Sequence, residues 1–319
     1  MGSKQDDEQG IIVGVDIGGT KTAVLAESSK SSKKVGRQRS ATDCEAGPDK
    51  MLEVIYGTIK ETLESAGGDM KSLRAVGFAV PGLVTDVGHV VNAGKLTGWE
   101  DFNLRGRLEK DLGVPAFVEH DANSAALGEQ ERGLAKGMSS FVFLALGTGL
   151  GAGIIIDGKL YRGVRHAAGE VGNMVPGRGF FDRGEPGEHN LGALIGGPAI
   201  REQAKQLVGE ELSAADALRR SLEDPRLEPL AERVADYVAI AVINIAALLD
   251  PEAVIFGGGT SSAGEALFER VRARVGNELP FRPKLLRSTL GEDAQLEGAI
   301  LGARCRLDPG KPSCEHCGV

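Results

Sequence analysis

The sequence predicts a mixed α/β protein of two related halves facing each other across a cleft. Three observations predict it. Glycine clusters follow apolar strand-like runs at residues 16–22, 147–153 and 257–264. Two of these openings, IIVGVDIGGTKTAVL and VFLALGTGLGAGIII, match loosely, as an internal duplication would. Between them, apolar residues recur at helical spacing, which alternates helices with strands. Two halves of this kind leave a concave space for a ligand.

In chain order, residues 1–10 are polar and read as disordered. Residues 11–15 and 22–26 read as a hairpin around a glycine turn. The run SSKSSKKVGRQ, 28–38, reads as an exposed turn with a solvated charged surface. Met51, Val54, Ile55, Ile59 and Leu63 set a helix over 47–66, ended by Gly67-Gly68. An apolar run over 74–80 closes at Pro81-Gly82. A helix over 104–112 and a short strand over 115–118 follow, then a helix over 123–136. Residues 139–146 read as a buried strand, followed by GTGLGAG and a strand over 154–156 with a hairpin signal at Asp157-Gly158. The Gly-, Pro- and charge-rich segment 177–189 reads as a loop. Helices are expected over 198–208, 213–222, 227–249, 265–275 and 294–307, with a strand over 253–256. The single Trp99 is expected to pack at the cleft edge, and Cys44 to be structural.

Composition excludes several classes. With 319 residues the chain has ample core for two domains. At 41% apolar residues it is not a disordered chain. A net charge of −8 argues against nucleic acid and anionic membranes as partners. The most apolar stretch, VAIAVINIAALL, is too short to span a bilayer. The N-terminus lacks a signal region, and Asp6 stands where myristoylation calls for Ser or Thr. A cytoplasmic, reducing location follows as the expectation, and four cysteines are too few for a disulfide scaffold. Glycine is the outlier: 46 residues are roughly twice the usual share of ~7%.

Glycine lets backbone N–H groups approach a ligand, and successive N–H groups form anion-binding nests. Simple hairpin turns would use the same residues, but three such clusters favour a phosphate. The P-loop pattern fails, because Thr20 separates Gly19 from Lys21. The dinucleotide fingerprint fails too, because a strand follows GTGLGAG where a helix is required. Asp16 precedes the first glycines. A carboxylate beside phosphates is tolerated when Mg2+ lies between them, so Asp16 is a candidate ligand of Mg2+, through water. In FVEHDANSAALGE, Asp121 sits between a strand and a helix. It is either the helix N-cap or a general base taking a proton from a substrate hydroxyl. HAAGEVGNM brings Glu170 and Asn173 together beside glycines, either as a surface turn or as a set suited to sugar hydroxyls.

The chain resembles the ROK family of sugar kinases, glucokinase-like members of the actin/hexokinase ATPase superfamily. The resemblance runs from about Ile11 to Gly302 and is carried by DIGGTKT, AVPGLVTDVGHVVNA, VEHDANSAALGE, LGTGLGAGIIIDGKLYRG, HAAGEVGN and LDPEAVIFGGG. It implies two ribonuclease-H-like domains with a cleft between them. We expect a smaller N-terminal domain over 10–121, completed by a C-terminal helix at about 292–307, a larger domain over 122–291, and a tail over 308–319. It implies ATP as a ligand, with Asp16, Gly18, Gly19, Thr20 and Lys21 at the first phosphate loop. Gly147, Thr148 and Gly149 would form the second, and Gly257, Gly258 and Gly259 would lie near the adenosine. Asp121 matches the family's base and Glu170 its sugar-binding glutamate. Gly82, Asn92, His120 and Asn173 fall on the sugar side. The implied activity is phosphorylation of a hexose 6-hydroxyl. Glucokinase is the leading reading, and fructose, mannose or an N-acetylated amino sugar are alternative acceptors. A sugar sensor without catalysis is the reading of another class. A homodimer or tetramer is the implied assembly.

Departures from the family fall on the sugar side. Asn173 stands where a His is common, His120 where Asn is common, and Gly192 where a Glu is expected if GALIGGPAI aligns as its neighbours do. The Cys-rich zinc cluster of the family is absent from GRGFFDRGEPGEHNLGALIGGPAI. At the C-terminus, Cys305, Cys314, His316 and Cys317 have residue types that suffice for a tetrahedral zinc site. The alternative there is a tail with free thiols.

Overall fold

The computed structural model describes residues 10–94, 96–180, 189–310, 312–315 and 317. Residues 1–9 and 181–188, part of the expected polar terminus and loop, lie outside them. Two compact units emerge: Met1–Lys136 with Gly158–Ala167 and Asp293–Val319, and Gly137–Asp157 with Ala168–Glu292. This differs from a division at 121/122. The helix that begins at Asp121 stays with the first unit, which takes more of the chain than the second, not less.

The first unit opens with the anticipated hairpin, β1 (Ile11–Ile17) and β2 (Lys21–Ser28), antiparallel with Ile17 opposite Thr22. β3 (Lys34–Ala41) pairs antiparallel with β2 where an exposed turn was expected. The turn is only the few residues before Lys34. An edge strand keeps polar residues on its open side, so β3 lacks the apolar alternation that marks a half-buried strand. Val35 is its contact with the core. α1 (Gly47–Ser65) buries Met51, Leu52, Ile55, Ile59 and Leu63, whereas Val54 turns out to be half exposed. Gly67, at φ 78°, ends the helix region as predicted. β4 (Leu73–Val80) is parallel to β1. A small antiparallel sheet follows, β5 (Leu83–Val84), β6 (His89–Asn92) and β7 (Phe102–Asn103). α2 (Leu104–Leu112) has the predicted bounds, capped by the Asn103 side chain on the Gly106 N–H at 2.9 Å. β8 (Ala116–His120) lies parallel to β4 and leads directly into α3 (Asp121–Arg132). The main sheet order is β3-β2-β1-β4-β8. Trp99, expected to pack at the cleft edge, is fully buried in this core, edge-on to Phe102 at 5.5 Å.

The second unit repeats the pattern. β9 (Phe141–Leu146) and β10 (Leu150–Ile156) form an antiparallel hairpin. The two-residue β11 (Lys159–Leu160) follows the turn at Asp157 and Gly158, both at positive φ. α4 (Leu191–Ile195), α5 (Gly197–Val208), α6 (Ala214–Arg220) and α7 (Glu228–Leu249) cross over to β12 (Ala253–Gly257), which is parallel to β9. α8 (Glu265–Glu278) leads to β13 (Lys284–Arg287), parallel to β12. β13 was not anticipated, being a short, partly exposed edge. Within this unit the order β10-β9-β12-β13 reproduces β2-β1-β4-β8 of the first.

The chain then returns to the first unit as α9 (Ala294–Leu307), with the predicted bounds. α9 packs on α3, β1 and β4. The approach is close enough to demand glycine on both sides. A Cβ on Gly77 would lie 1.9 Å from the Ala299 carbonyl oxygen, and one on Gly298 would lie 1.7 Å from that of Ser124. Part of the glycine excess therefore serves helix packing and not ligand binding.

Buried charge ties this layer together. The fully buried Glu27 of β2 accepts from Arg132 of α3 and from Arg304 of α9, the latter at 2.5 Å. Glu297 pairs with Arg132 at 2.6 Å and Lys34 at 2.7 Å. Burial alone would raise the Glu27 carboxyl. The hydrogen bonds and charges of Arg132 and Arg304 outweigh it and hold the group below its ordinary value.

Candidate active site

In the first unit β1, β4 and β8 run parallel, so their C-terminal ends share one sheet edge. Open α/β sheets bind ligands at that edge. Each strand there leads into a segment singled out from sequence.

After β1 comes the first glycine turn. The Gly18 N–H donates to the Lys21 carbonyl at 3.0 Å, and Gly19, Thr20 and Lys21 are exposed. Asp16 is half-buried one residue before the strand ends. Cys44 supports the turn, its thiol donating to the Gly19 carbonyl at 3.3 Å, which bears out its structural reading. After β4, Gly82 adopts φ 100°, and a Cβ there would sit 1.7 Å from the Asn92 carbonyl oxygen. Gly82 and Asn92 are therefore in backbone contact. The exposed Asn92 spends its Oδ1 on the Gly94 N–H at 3.2 Å.

After β8 comes the carboxylate. His120, not Asp121, is the N-cap of α3, so the capping alternative fails for Asp121. Asp121 Oδ1 accepts from the Ala122 N–H at 2.6 Å and lies 3.0 Å from His120 Nε2. Its side chain is 39% exposed, enough to meet a substrate. Beneath it sits a group that sequence reading missed. Glu119 is buried. Its Oε1 accepts from the His120 N–H at 2.9 Å and Asn123 Nδ2 at 3.0 Å. Its Oε2 accepts from Arg162 Nε at 2.8 Å.

In the second unit β9 and β12 are parallel, so the second and third glycine turns also share an edge. Gly147 donates its N–H to the Gly149 carbonyl at 3.0 Å, and Thr148 and Gly149 are exposed. The N-terminus of α5 docks on this turn, with the Gly197 N–H donating to the Gly147 carbonyl at 2.8 Å. Gly258 adopts φ 84° where a Cβ would meet the Leu146 carbonyl oxygen at 2.5 Å. This places the Gly257-Gly258-Gly259 turn against the end of β9. The HAAGEVGN segment lies along β10, the Ala152 N–H donating to the Gly169 carbonyl at 2.7 Å. Glu170 is half-buried and leads a 3-10 turn over Val171–Asn173. Asn173 accepts from Asn190 Nδ2 at 3.2 Å, and Gly192 lies beside Gly172. Asn190 was not singled out from sequence. Its one signal was position, as the N-cap of a helix in the segment that the resemblance puts on the sugar side.

The zinc expectation at the C-terminus is corrected. Cys305 and Cys314 are joined as a disulfide, which removes two of the four thiol and imidazole ligands. His316 lies outside the described residues, and among those described no group of three His, Cys, Asp or Glu is arranged to hold a metal. Among them, too, no helix is long and apolar enough to cross a membrane.

Two sheets of one strand order, with glycine turns and a strand-end aspartate at their C-terminal edges, define an actin-like ATPase fold of two domains. The chain belongs to the ROK family, whose sequence model matches residues 12–303. A glucokinase of Halalkalibacterium halodurans is 30% identical over 318 residues, covering 90% of this chain and 92% of its own. An N-acetyl-D-glucosamine kinase of Photobacterium profundum is 29% identical over 300 residues, covering 90% of this chain and 97% of its own. The crystal structure of a ROK family glucokinase from Streptomyces griseus in complex with glucose and AMPPNP is similar at a TM-score of 0.78 and 30% identity, covering 92% of this chain and 99% of that one.

Proposed function

We propose that this chain is an ATP-dependent hexose kinase, with glucose as the leading acceptor and the 6-hydroxyl as the group phosphorylated. The observation that carries this reading is Asp121, a half-exposed carboxylate on the same sheet edge as the first glycine turn. It would take the proton of the sugar hydroxyl as that oxygen attacks the γ-phosphorus and ADP departs. The exposed backbone of residues 18–21 and 147–149 supplies N–H donors for phosphate oxygens, and residues 257–259 would lie near the adenosine. Asp16 fits Mg2+ held through water, since Mg2+ keeps several waters and takes few protein carboxylates. That ion would neutralise phosphate charge when bound with the nucleotide. Glu170 and Asn173, with Asn190 beside them, would orient the sugar, as would Gly82, Asn92 and His120.

The acceptor turns on the departures. Asn173 and Gly192 replace larger polar groups of the family pattern, which leaves more room and fewer hydrogen bonds. The similarity to an N-acetyl-D-glucosamine kinase makes an N-acetylated amino sugar the second acceptor to test.

ADP release from MgATP across glucose, mannose, fructose and N-acetylated amino sugars tests the proposal, with Asp121→Asn as control. Turnover on glucose that the variant loses supports it. Turnover confined to another sugar keeps the mechanism and replaces the acceptor. Sugar binding without turnover on any of them overturns the kinase reading in favour of a sensor.

A further inference from the structure

The C-terminal cysteines play no part in phosphoryl transfer as proposed, yet they connect to Asp121 through four described residues. Arg162 is the joint. Its Nη2 lies 2.7 Å from Glu119 Oε2 and donates at 2.7 Å to the backbone carbonyl of Cys317. Glu119 in turn holds the His120 N–H and the Asn123 side chain, the two flanks of Asp121. Cys317 is buried, and its N–H donates to the Cys314 carbonyl at 3.2 Å. Cys314 is bonded to Cys305, which is itself buried in α9. The carbonyl that engages Arg162 is thus three residues beyond the covalent link fastening its segment to the core. A cavity of about 30 Å³, enough for a water or two, is lined by Arg105, Glu119, Arg162 and Arg306 and borders the pair.

We propose that Arg162 is a positioning residue for Asp121, and that the Cys305–Cys314 bond, by keeping the Cys317 carbonyl on Arg162, makes this positioning depend on thiol oxidation state. The inference rests on the kinase reading. The redox step balances with a small dithiol as reductant. Its thiolate attacks one sulfur to give a mixed disulfide, and its second thiol displaces the chain. Two electrons and two protons pass to the protein, and the reductant leaves as a cyclic disulfide. Both sulfurs are buried, so the segment must lift before attack. Cys317 does not open the bond itself, because burial pushes its thiol up to about 12 and keeps it protonated. Once freed, the segment no longer pins the carbonyl, and the β8–α3 turn loses one of its supports. A misplacement of about 1 Å at a reacting group costs up to ~10²-fold in rate.

The test uses the full chain, oxidised and then reduced with dithiothreitol. Thiols counted after denaturation should rise from two to four, given four cysteines of which Cys44 and Cys317 are free. Over the same change kcat should fall about tenfold, with KM for MgATP within about twofold because the nucleotide turns are untouched. The Cys305→Ser/Cys314→Ser double variant should show the reduced rate in both conditions. Arg162→Lys, which keeps the charge but offers a single donor centre, should fall in kcat and lose the response. Equal kcat in both states, with the thiol count at two and then four, overturns the proposal. So does a count of four that an oxidant cannot lower. If no sugar is phosphorylated in either state, the kinase reading fails, and amide exchange then decides this inference alone. Faster exchange at residues 120–124 on reduction supports it, and unchanged exchange overturns it.

Discussion

The two units share a strand order and an edge, and they load that edge differently. The first adds side chains to its glycine turn there: Asp16, Lys21, His120 and Asp121, with Glu119 behind them. The second puts backbone there: Gly147, Thr148 and Gly149, then Gly257, Gly258 and Gly259, with Gly197 docked on the first of these turns. On the proposed function, a duplicated scaffold thus divides its chemistry. Proton transfer needs one group at one place, whereas phosphate needs many N–H donors and no Cβ in the way. Their stabilising charges differ as well. The first unit buries Glu27 and Glu297 among the cations of Arg132, Arg304 and Lys34. The second keeps Glu232 and Asp236 with Arg270 and Arg274 on its surface.

The largest expected effect is on the side-chain half. Asp121→Asn should lower kcat by about 10³-fold and leave both KM values within a few-fold, as read by steady-state ADP release. An equal loss from Thr148→Val would break the division of labour, because that change removes only one hydroxyl from the backbone half.

Next comes the buried charge. Glu27→Gln leaves the partly exposed Arg132 and Arg304 with a weaker partner, so the cost should stay below the ~3–5 kcal/mol of breaking a fully buried pair. The pH dependence follows from the depressed carboxyl. Its contribution is complete above the unfolded glutamate value of about 4.3 and is lost as pH falls through the lower folded value. Urea unfolding between pH 7 and 3 should therefore show the wild type losing stability in the acid limb. Glu27→Gln should start lower and lose less there.

Gly258→Ala acts on the backbone half. A side chain at φ 84° against the Leu146 carbonyl is strained by about 1–3 kcal/mol. The expected result is a higher KM for ATP with kcat nearly unchanged. A fall in kcat alone would place this turn with the base and not with the nucleotide.

How much of this could be read in the chain depended on what each residue needs. The β1 hairpin, α2 and α9 were legible because an apolar period and a cap or glycine mark them locally. β3 and β13 were not, since an edge strand shows no alternation when both its faces are partly wet. Asp121 was legible as a carboxylate between strand and helix. Glu119 was not, because its partner Arg162 is 43 residues away. Asn190 was hidden in the same way, since its partner Asn173 is 17 residues distant. The cysteine spacing at the C-terminus suits zinc and disulfide chemistry equally, and only the fold, by bringing Cys314 onto α9, separates them.

The smallest effect belongs to the surface charges of the second unit. Glu232 bridges Arg270 at 2.5 Å and Arg274 at 2.6 Å between α7 and α8, and its side chain is 42% exposed. Hydrogen bonds from Arg274 and then Arg270 hold its carboxyl below the ordinary value. Solvent screens the pair, however, so Glu232→Gln should cost less than about 1 kcal/mol, or about 2–4 °C in Tm at most. The cost should shrink in 0.5 M NaCl, because screening acts on exposed pairs and hardly on buried ones. Glu27→Gln should keep its deficit in the same salt. If the two variants respond alike to salt, the contrast between a buried and a solvated charge layer falls, and with it the part given to buried charge in tying α9 to β2 and α3.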